Sequence, residues 1–140
     1  MTKKMLLGAL VTFIGLGLIG FLVHGVILAS AYQAEPFKSA MRPASEMMKM
    51  LWIYYAVYAI QALFFSFIFF KGYEGKGIIE GVRYGFYMGM LMATPMAFAS
   101  YAMLPMPYSL AFQWFIYGII EFVILGILLA AIAGKKTAQT

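Results

Sequence analysis

The chain reads as an all-α protein, a four-helix transmembrane bundle with both ends in the cytoplasm. Three observations carry this expectation. Hydrophobic residues make up 64% of the 140 residues and charged residues only 11%, against about 25% charged in a soluble domain. A soluble fold of this size could not hide so much apolar surface, because small domains leave a large fraction of their surface exposed. The apolar residues also fall into four runs, each near the roughly 20 residues that a helix needs to cross a hydrocarbon core.

The runs cover about 5–29, 50–70, 78–101 and 108–133, within a single integral membrane domain over 1–140. The first follows Lys3 and Lys4 and ends near Ala29-Ser30-Ala31, the outline of a secretory signal with its small-residue cleavage site. Its apolar stretch is about twice as long as a signal core and holds His24, so a retained span is expected. The second run follows the outer loop 30–49, where Met41-Arg42-Pro43 and then Ala44-Ser45-Glu46-Met47-Met48 form a turn leading into the helix. Pro43 suits a first helical turn, where no intrahelical N–H is needed. The third run follows the glycine-rich inner turn 71–77, and its Pro95 should kink it, leaving a carbonyl for Thr94 or a neighbouring helix to satisfy. Pro105 and Pro107 make a tight outer turn before the fourth.

Lys and Arg placement sets the direction. With the N-terminus inside, Lys3, Lys4, Lys71, Lys76, Arg83, Lys135 and Lys136 are cytoplasmic, whereas Lys38, Arg42 and Lys49 are outside. Trp52, Tyr101, Tyr108 and Trp114 then lie in the outer half of the membrane and Tyr73 and Tyr84 near the inner face, where amphipathic rings anchor. The net charge of +5 sits at the ends of apolar runs. That suits anionic headgroups, with the lipid bilayer as partner and no nucleic acid.

Gly77, Gly81, Gly85, Gly89, Ala93 and Ala97 recur every fourth residue. This stripe of small side chains lets another helix come close, inside the same bundle or in a second subunit. Gly126, Ala130 and Gly134 offer a shorter seam. Intramembrane ionisable and polar groups are costly and mark candidate sites. Glu121 leads, on a stripe with Gln113 and Tyr117; Tyr54, Tyr58 and Gln61 form a comparable stripe, and His24 lies in the first span. At about 1.5 Å rise per residue, Gln61 and Glu121 sit near the midplane, and His24, Tyr54 and Gln113 roughly 9–11 Å toward the outer surface. These groups are expected to converge on a ligand or proton site opening outward, with Glu121 as proton carrier or as hydrogen-bond donor to Gln61. Glu80 and Arg83, three apart, are expected to pair at the inner interface.

Of the 12 methionines, Met88, Met92 and Met96 share one face. Thioethers suit Cu(I), and Met88 and Met92 beside the glycines have some resemblance to copper-uptake channels of the Ctr type, although those have three spans and a methionine-rich outer tail. Methionine also fills gaps in cores. The absence of cysteine removes disulfides and thiolate chemistry. No catalytic triad, zinc spacing, Walker loop or dinucleotide fingerprint is present. The expectation is therefore no cofactor and no catalysis. The segments Phe21-Leu22-Val23-His24-Gly25-Val26-Ile27-Leu28, Met41-Arg42-Pro43, Glu46-Met47 and Lys71-Gly72-Tyr73-Glu74-Gly75-Lys76-Gly77 resemble a group of small bacterial four-span membrane proteins with no assigned activity. The resemblance implies a four-helix membrane fold in a bacterial inner membrane and draws attention to His24 and Arg42. The function expected first is non-catalytic packing, as a homo-oligomer or an accessory subunit. A small proton-coupled carrier or ligand-binding protein and copper handling are the alternatives.

Overall fold

A computed structural model describes residues 2–134, so Lys135 and Lys136, counted above for orientation, lie outside the described residues. Every regular element among the described residues is helical. Three helices are long and apolar enough to cross a membrane: Lys3–Ile27, Leu51–Gly72 and Tyr108–Ala133.

Helix α1 (Lys3–Gly20) starts at Thr2, whose hydroxyl accepts the Met5 N–H at 3.3 Å, satisfying one of the free donors of the first turn. It runs on without a break into a π-helical stretch, Phe21–Ile27. The 30–49 loop carries a 3-10 turn, Ala31–Gln33, and two short α-helices, α2 (Phe37–Ala40) and α3 (Ala44–Lys49). Pro43 caps α3, and Met50 breaks the helical path before α4 (Leu51–Gly72). The turn at 41–43 therefore leads into a separate helix. The exposed Arg42–Glu46 pair at 3.4 Å supports that helix one turn apart.

Helix α5 (Ile78–Thr94) continues as a π-helical turn, Pro95–Ala99, and then α6 (Ser100–Met103). Proline has no N–H and its ring crowds the carbonyl one turn back. Here the ladder responds by widening into a π turn at Pro95, and the helical run 78–103 stays continuous. This run is not among the three long apolar helices. Its glycines, tyrosines, Glu80 and Arg83 dilute its hydropathy. Helix α7 (Tyr108–Ala133) follows a cap at Pro107 and ends at Gly134, whose φ of +71° stops the helix.

Helix α4 packs on α1, α1 on α7, and α7 along the whole of α5. Helix α4 also reaches α7 and α5 through side chains: the Phe65 ring lies 5.4 Å from that of Phe122, and the Tyr84 hydroxyl donates to the Phe65 carbonyl at 2.6 Å with its ring against Phe65 and Phe69. Two apolar clusters fill the space between the helices. One holds Leu16, Ala62, Phe65, Phe69, Phe122, Leu125, Leu129 and Ala130. The other joins Val23, Leu28, Phe37, Met106, Leu110 and Ala111 under the 30–41 loop. At the opposite end the Lys4 ammonium donates to the Ala133 carbonyl at 2.7 Å and the Tyr73 hydroxyl to the Gly134 carbonyl at 2.8 Å. Both occupy carbonyls that the end of α7 leaves without intrahelical partners. The start of α1 and the ends of α4 and α7 are thus tied together.

Candidate functional site

The polar groups singled out in the sequence occupy separate places. His24 lies in the π-helical extension of α1, inside an aromatic cluster with Tyr32, Phe37 and Trp114. The His24 and Tyr32 rings stack with centroids 6.0 Å apart, and Trp114 meets His24 edge-on at 5.9 Å. The Trp114 indole N–H donates to the Tyr32 hydroxyl at 2.8 Å, and that hydroxyl is hydrogen-bonded to His24 Nδ1. An indole N–H can only donate. Tyr32 therefore accepts from Trp114, and the direction of its bond to His24 is set by the imidazole tautomer: Nδ1 accepts from the hydroxyl when the ring proton is on Nε2 and donates to it when the proton is on Nδ1. Burial pushes the Tyr32 phenol up to about 12, with the Trp114 hydrogen bond acting in the opposite direction. Phe37 is 2% exposed beneath this network and pins the 30–49 loop to the helices. Tyr32 and Phe37 were not legible as site residues, because they sit in a loop without periodicity.

Glu121 lies on the face of α7 that carries Leu125 and Leu129 one and two turns on. Those leucines face Gly15 and Gly8 of α1. Glu121 lies near Tyr58, whose hydroxyl reaches α1 at Gly20. Tyr54 stacks edge-on with Tyr58 at 6.4 Å. Glu121, Tyr58 and Tyr54 therefore follow one another at the junction of α1, α4 and α7. The expected hydrogen bond from Glu121 to Gln61 is not formed; neither side chain has a hydrogen-bond partner among the described residues. Tyr117 packs under the outer cluster, and Gln113 points away, exposed. The convergence of all seven groups on one cavity is not what the structure has.

Gln61 instead lines a lateral cleft of about 330 Å³ between α4 and α5. Val57, Ile60, Phe64, Met88 and Met92 form its walls, and Phe65 and Phe122 its floor. Met96 lies off this cleft and is 58% exposed. Among the described residues no cluster of His, Cys, Asp or Glu is arranged to hold a metal ion.

The small-residue stripe is used within the chain. Gly81 lies against the Gly126 carbonyl and Ala130, Gly85 against the Phe122 carbonyl and the Val123 Cα, and Gly89 against the Ile119 Cα. Ala93 meets Gly118, and Ala97 is fully buried. The pairing runs antiparallel, because the partner number falls as the α5 number rises. Gly77 belongs to the stripe by spacing, but its φ of +75° gives it a second role as the turn residue before α5.

Glu80 and Arg83 do not pair. The Glu80 carboxylate, 6% exposed, accepts backbone N–H groups of Glu74, Gly75 and Lys76 at 2.7, 3.1 and 2.9 Å. It folds the 73–77 turn back onto the start of α5, and three N–H donors in a fixed cradle outcompete a flexible, solvated guanidinium. Comparison of the chain with protein-family models, with curated proteins and with solved structures gives no match.

Proposed function

We propose that the chain is a four-span integral membrane protein of a bacterial inner membrane, N-in and C-in, that acts without catalysis by packing against other membrane chains. The run 78–103 is the fourth span. Its 26 residues reach about 39 Å at helical rise, and its least apolar face, the glycine stripe, is covered by α7. The ties from Lys4 and Tyr73 to the end of α7 suit an even number of crossings, and the Lys and Arg distribution puts that end in the cytoplasm.

The observation that carries the packing role is Gln113. Its amide is exposed on α7, without a hydrogen-bond partner among the described residues. It lies about 8 Å inside the start of the helix by the usual rise. An unsatisfied amide facing lipid costs free energy, and interhelical hydrogen bonds from another chain remove that cost. Because the glycine stripe is filled internally, the contact surface is the outer ridge of α7 around Gln113, with copies of the chain or with subunits of a larger assembly. Native mass spectrometry after gentle extraction tests this. A complex is expected, with its share reduced in Gln113→Leu. A monomer with no accompanying subunit at natural expression level would refute it.

A second reading is a proton-linked carrier, supported by the succession Tyr54, Tyr58, Glu121. A carboxyl with no hydrogen-bond partner at membrane depth is the kind of group that relays protons. Vesicles loaded with a pH-sensitive dye should acidify through the wild type and fail to do so through Glu121→Gln. Equal rates would exclude Glu121 as the carrier.

A further inference from the structure

We infer that Arg83 and Tyr87, on the face of α5 turned away from α7, form a binding site for the headgroup of a net-anionic glycerophospholipid in the inner leaflet. The site rests on the reading of 78–103 as a span that starts at the cytoplasmic face. It uses none of the residues of the packing ridge on α7.

Charge is the first consideration. The chain has five acidic side chains, Glu35, Glu46, Glu74, Glu80 and Glu121. Glu35 accepts from Ser39, and Glu46 faces Arg42, both at the 30–49 loop. Glu74 pairs with Lys76. Glu80, three residues before Arg83, is occupied by the backbone N–H groups of the 73–77 turn. Glu121 lies in the middle of α7. Arg83 is exposed and has no ion pair or hydrogen bond among the described residues.

The glycine stripe fixes where Arg83 faces. Gly81 and Gly85 press on the α7 backbone, and Arg83, two residues from each, lies about 200° round the helix. Tyr87 shares its face one turn on. Tyr87 is 62% exposed, and its hydroxyl has no hydrogen-bond partner among the described residues. The 26-residue run outreaches a hydrocarbon core of about 30 Å by roughly 4–5 Å at each end. Arg83 is the sixth residue of α5, so its Cα sits about 3 Å inside the inner edge of the core, with Tyr87 about 6 Å deeper. Side chains on a helix lean toward its N-terminus, here the inner face. The guanidinium therefore extends to the level of the lipid phosphates, and the Tyr87 ring leans over the turn that carries Arg83.

The occupant follows from these two levels. A cation rooted in hydrocarbon with no acid beside it is costly. The planar guanidinium matches two phosphate oxygens at once. The ester carbonyls of the same lipid lie deeper than its phosphate, where the Tyr87 hydroxyl can donate to one. The headgroup is net-anionic because the ammonium of a zwitterionic lipid opposes Arg83. A second copy of the chain is disfavoured: inserted in the same direction, α5 against α5 across a two-fold axis sets Arg83 opposite Arg83, and like charges repel.

The test uses the full chain in dodecylmaltoside, stripped of lipid and titrated with dioleoylphosphatidylglycerol or dioleoylphosphatidylcholine, with bound lipid counted per chain by native mass spectrometry. A single tight phosphatidylglycerol site is expected, with phosphatidylcholine binding more weakly. Arg83→Gln should weaken phosphatidylglycerol roughly ten- to hundredfold, the worth of a charged hydrogen bond, and Tyr87→Phe roughly three- to tenfold. Arg83→Lys should restore part of the loss. Lys71→Gln, which removes the same charge at the inner end of α4, should change nothing. Equal affinity for the two lipids, unchanged affinity in Arg83→Gln, or an equal loss in Lys71→Gln would overturn the proposal. Competition by glycerophosphoglycerol, the headgroup without chains, would overturn the lipid assignment in favour of a soluble phosphate. Capture of a neighbouring polypeptide by a photo-crosslinker at position 86 in native membranes would overturn it in favour of a protein partner. If Arg83→Gln does not give a monodisperse particle, Arg83→Lys, Tyr87→Phe and Lys71→Gln still decide. The span reading is checked apart from the lipid: Lys76→Cys, the sole thiol in a chain without cysteine, should react with an impermeant maleimide in inverted vesicles and not in spheroplasts. Reaction in spheroplasts would refute the orientation whatever the titration gives.

Discussion

The α5–α7 seam makes a prediction that separates two glycines of identical chemistry. A Cβ added at Gly85 would lie 2.6 Å from the Val123 Cα and 2.8 Å from the Phe122 carbonyl carbon, and closer still to the Phe122 oxygen. All three are backbone atoms of a regular helix, so no rotamer change relieves the clash. Ordinary carbon contacts begin near 3.5 Å, so the helices must part by about 1 Å locally. A gap of that size forfeits a quarter to a half of each contact. A seam with roughly 50 atom pairs at about 0.15 kcal/mol each would lose about 2–4 kcal/mol, close to the range for overpacked cores. The better helix propensity of alanine offsets at most about 1 kcal/mol. Gly85→Ala should therefore destabilise by about 1–3 kcal/mol net. At Gly17 an added Cβ meets nothing within 4 Å, so Gly17→Ala should be neutral or slightly stabilising. The assay is denaturation by SDS in mixed micelles, followed by tryptophan fluorescence. An unchanged midpoint for Gly85→Ala, or an equal loss for Gly17→Ala, would refute the seam. A bulkier change such as Gly85→Leu should break the fold itself, so it would not isolate association between chains.

Three further outcomes follow from other contacts. Glu80→Ala removes the carboxylate that accepts three N–H groups of the 73–77 turn and should cost about 2–4 kcal/mol, read as faster amide exchange at Glu74, Gly75 and Lys76; unchanged exchange would mean that the turn holds itself. The Tyr32 phenol is raised from its ordinary 10.0 to about 12, so its contribution is complete below pH 10 and is lost as the pH rises toward 12. Trp114 fluorescence should change across that window in the wild type and stay flatter in Tyr32→Phe; identical profiles would refute this. Phe37→Ala should cost about 3–5 kcal/mol of packing if the site does not collapse and should open the outer loop to added protease, whereas a loop as resistant as the wild type would show that other contacts hold it.

How much of this could be read from the residues differs by level. Membrane character was legible because it needs only composition and run length, which tertiary contacts do not alter. Three runs appear as long apolar helices close to the expected limits. The run at 78–103 is helical too, and its glycine spacing makes a buried face suited to a neighbouring backbone, while Glu80, Arg83 and its tyrosines lower its hydropathy further. The Glu80–Arg83 pair was misjudged because helical spacing says which side chains can meet but not what competes for them. Here the competitor is a turn whose N–H groups converge only once Gly75 and Gly77 adopt positive φ.

By itself, the sequence determined that the chain is helical, apolar enough for a membrane, and furnished with polar groups inside its apolar runs. Those properties depend on local pattern and on the free energy of each residue in lipid. Only the tertiary structure decided how the polar groups are shared out: His24 to the outer aromatic cluster, Glu121 to Tyr58 at a three-helix junction, Gln61 to the cleft and Gln113 to the outside. Helical periodicity fixes the face on which a side chain lies, but which neighbour that face meets depends on the order in which the helices stand. That order is set by the close fit of α5 on α7, a property of two surfaces together and of neither run alone.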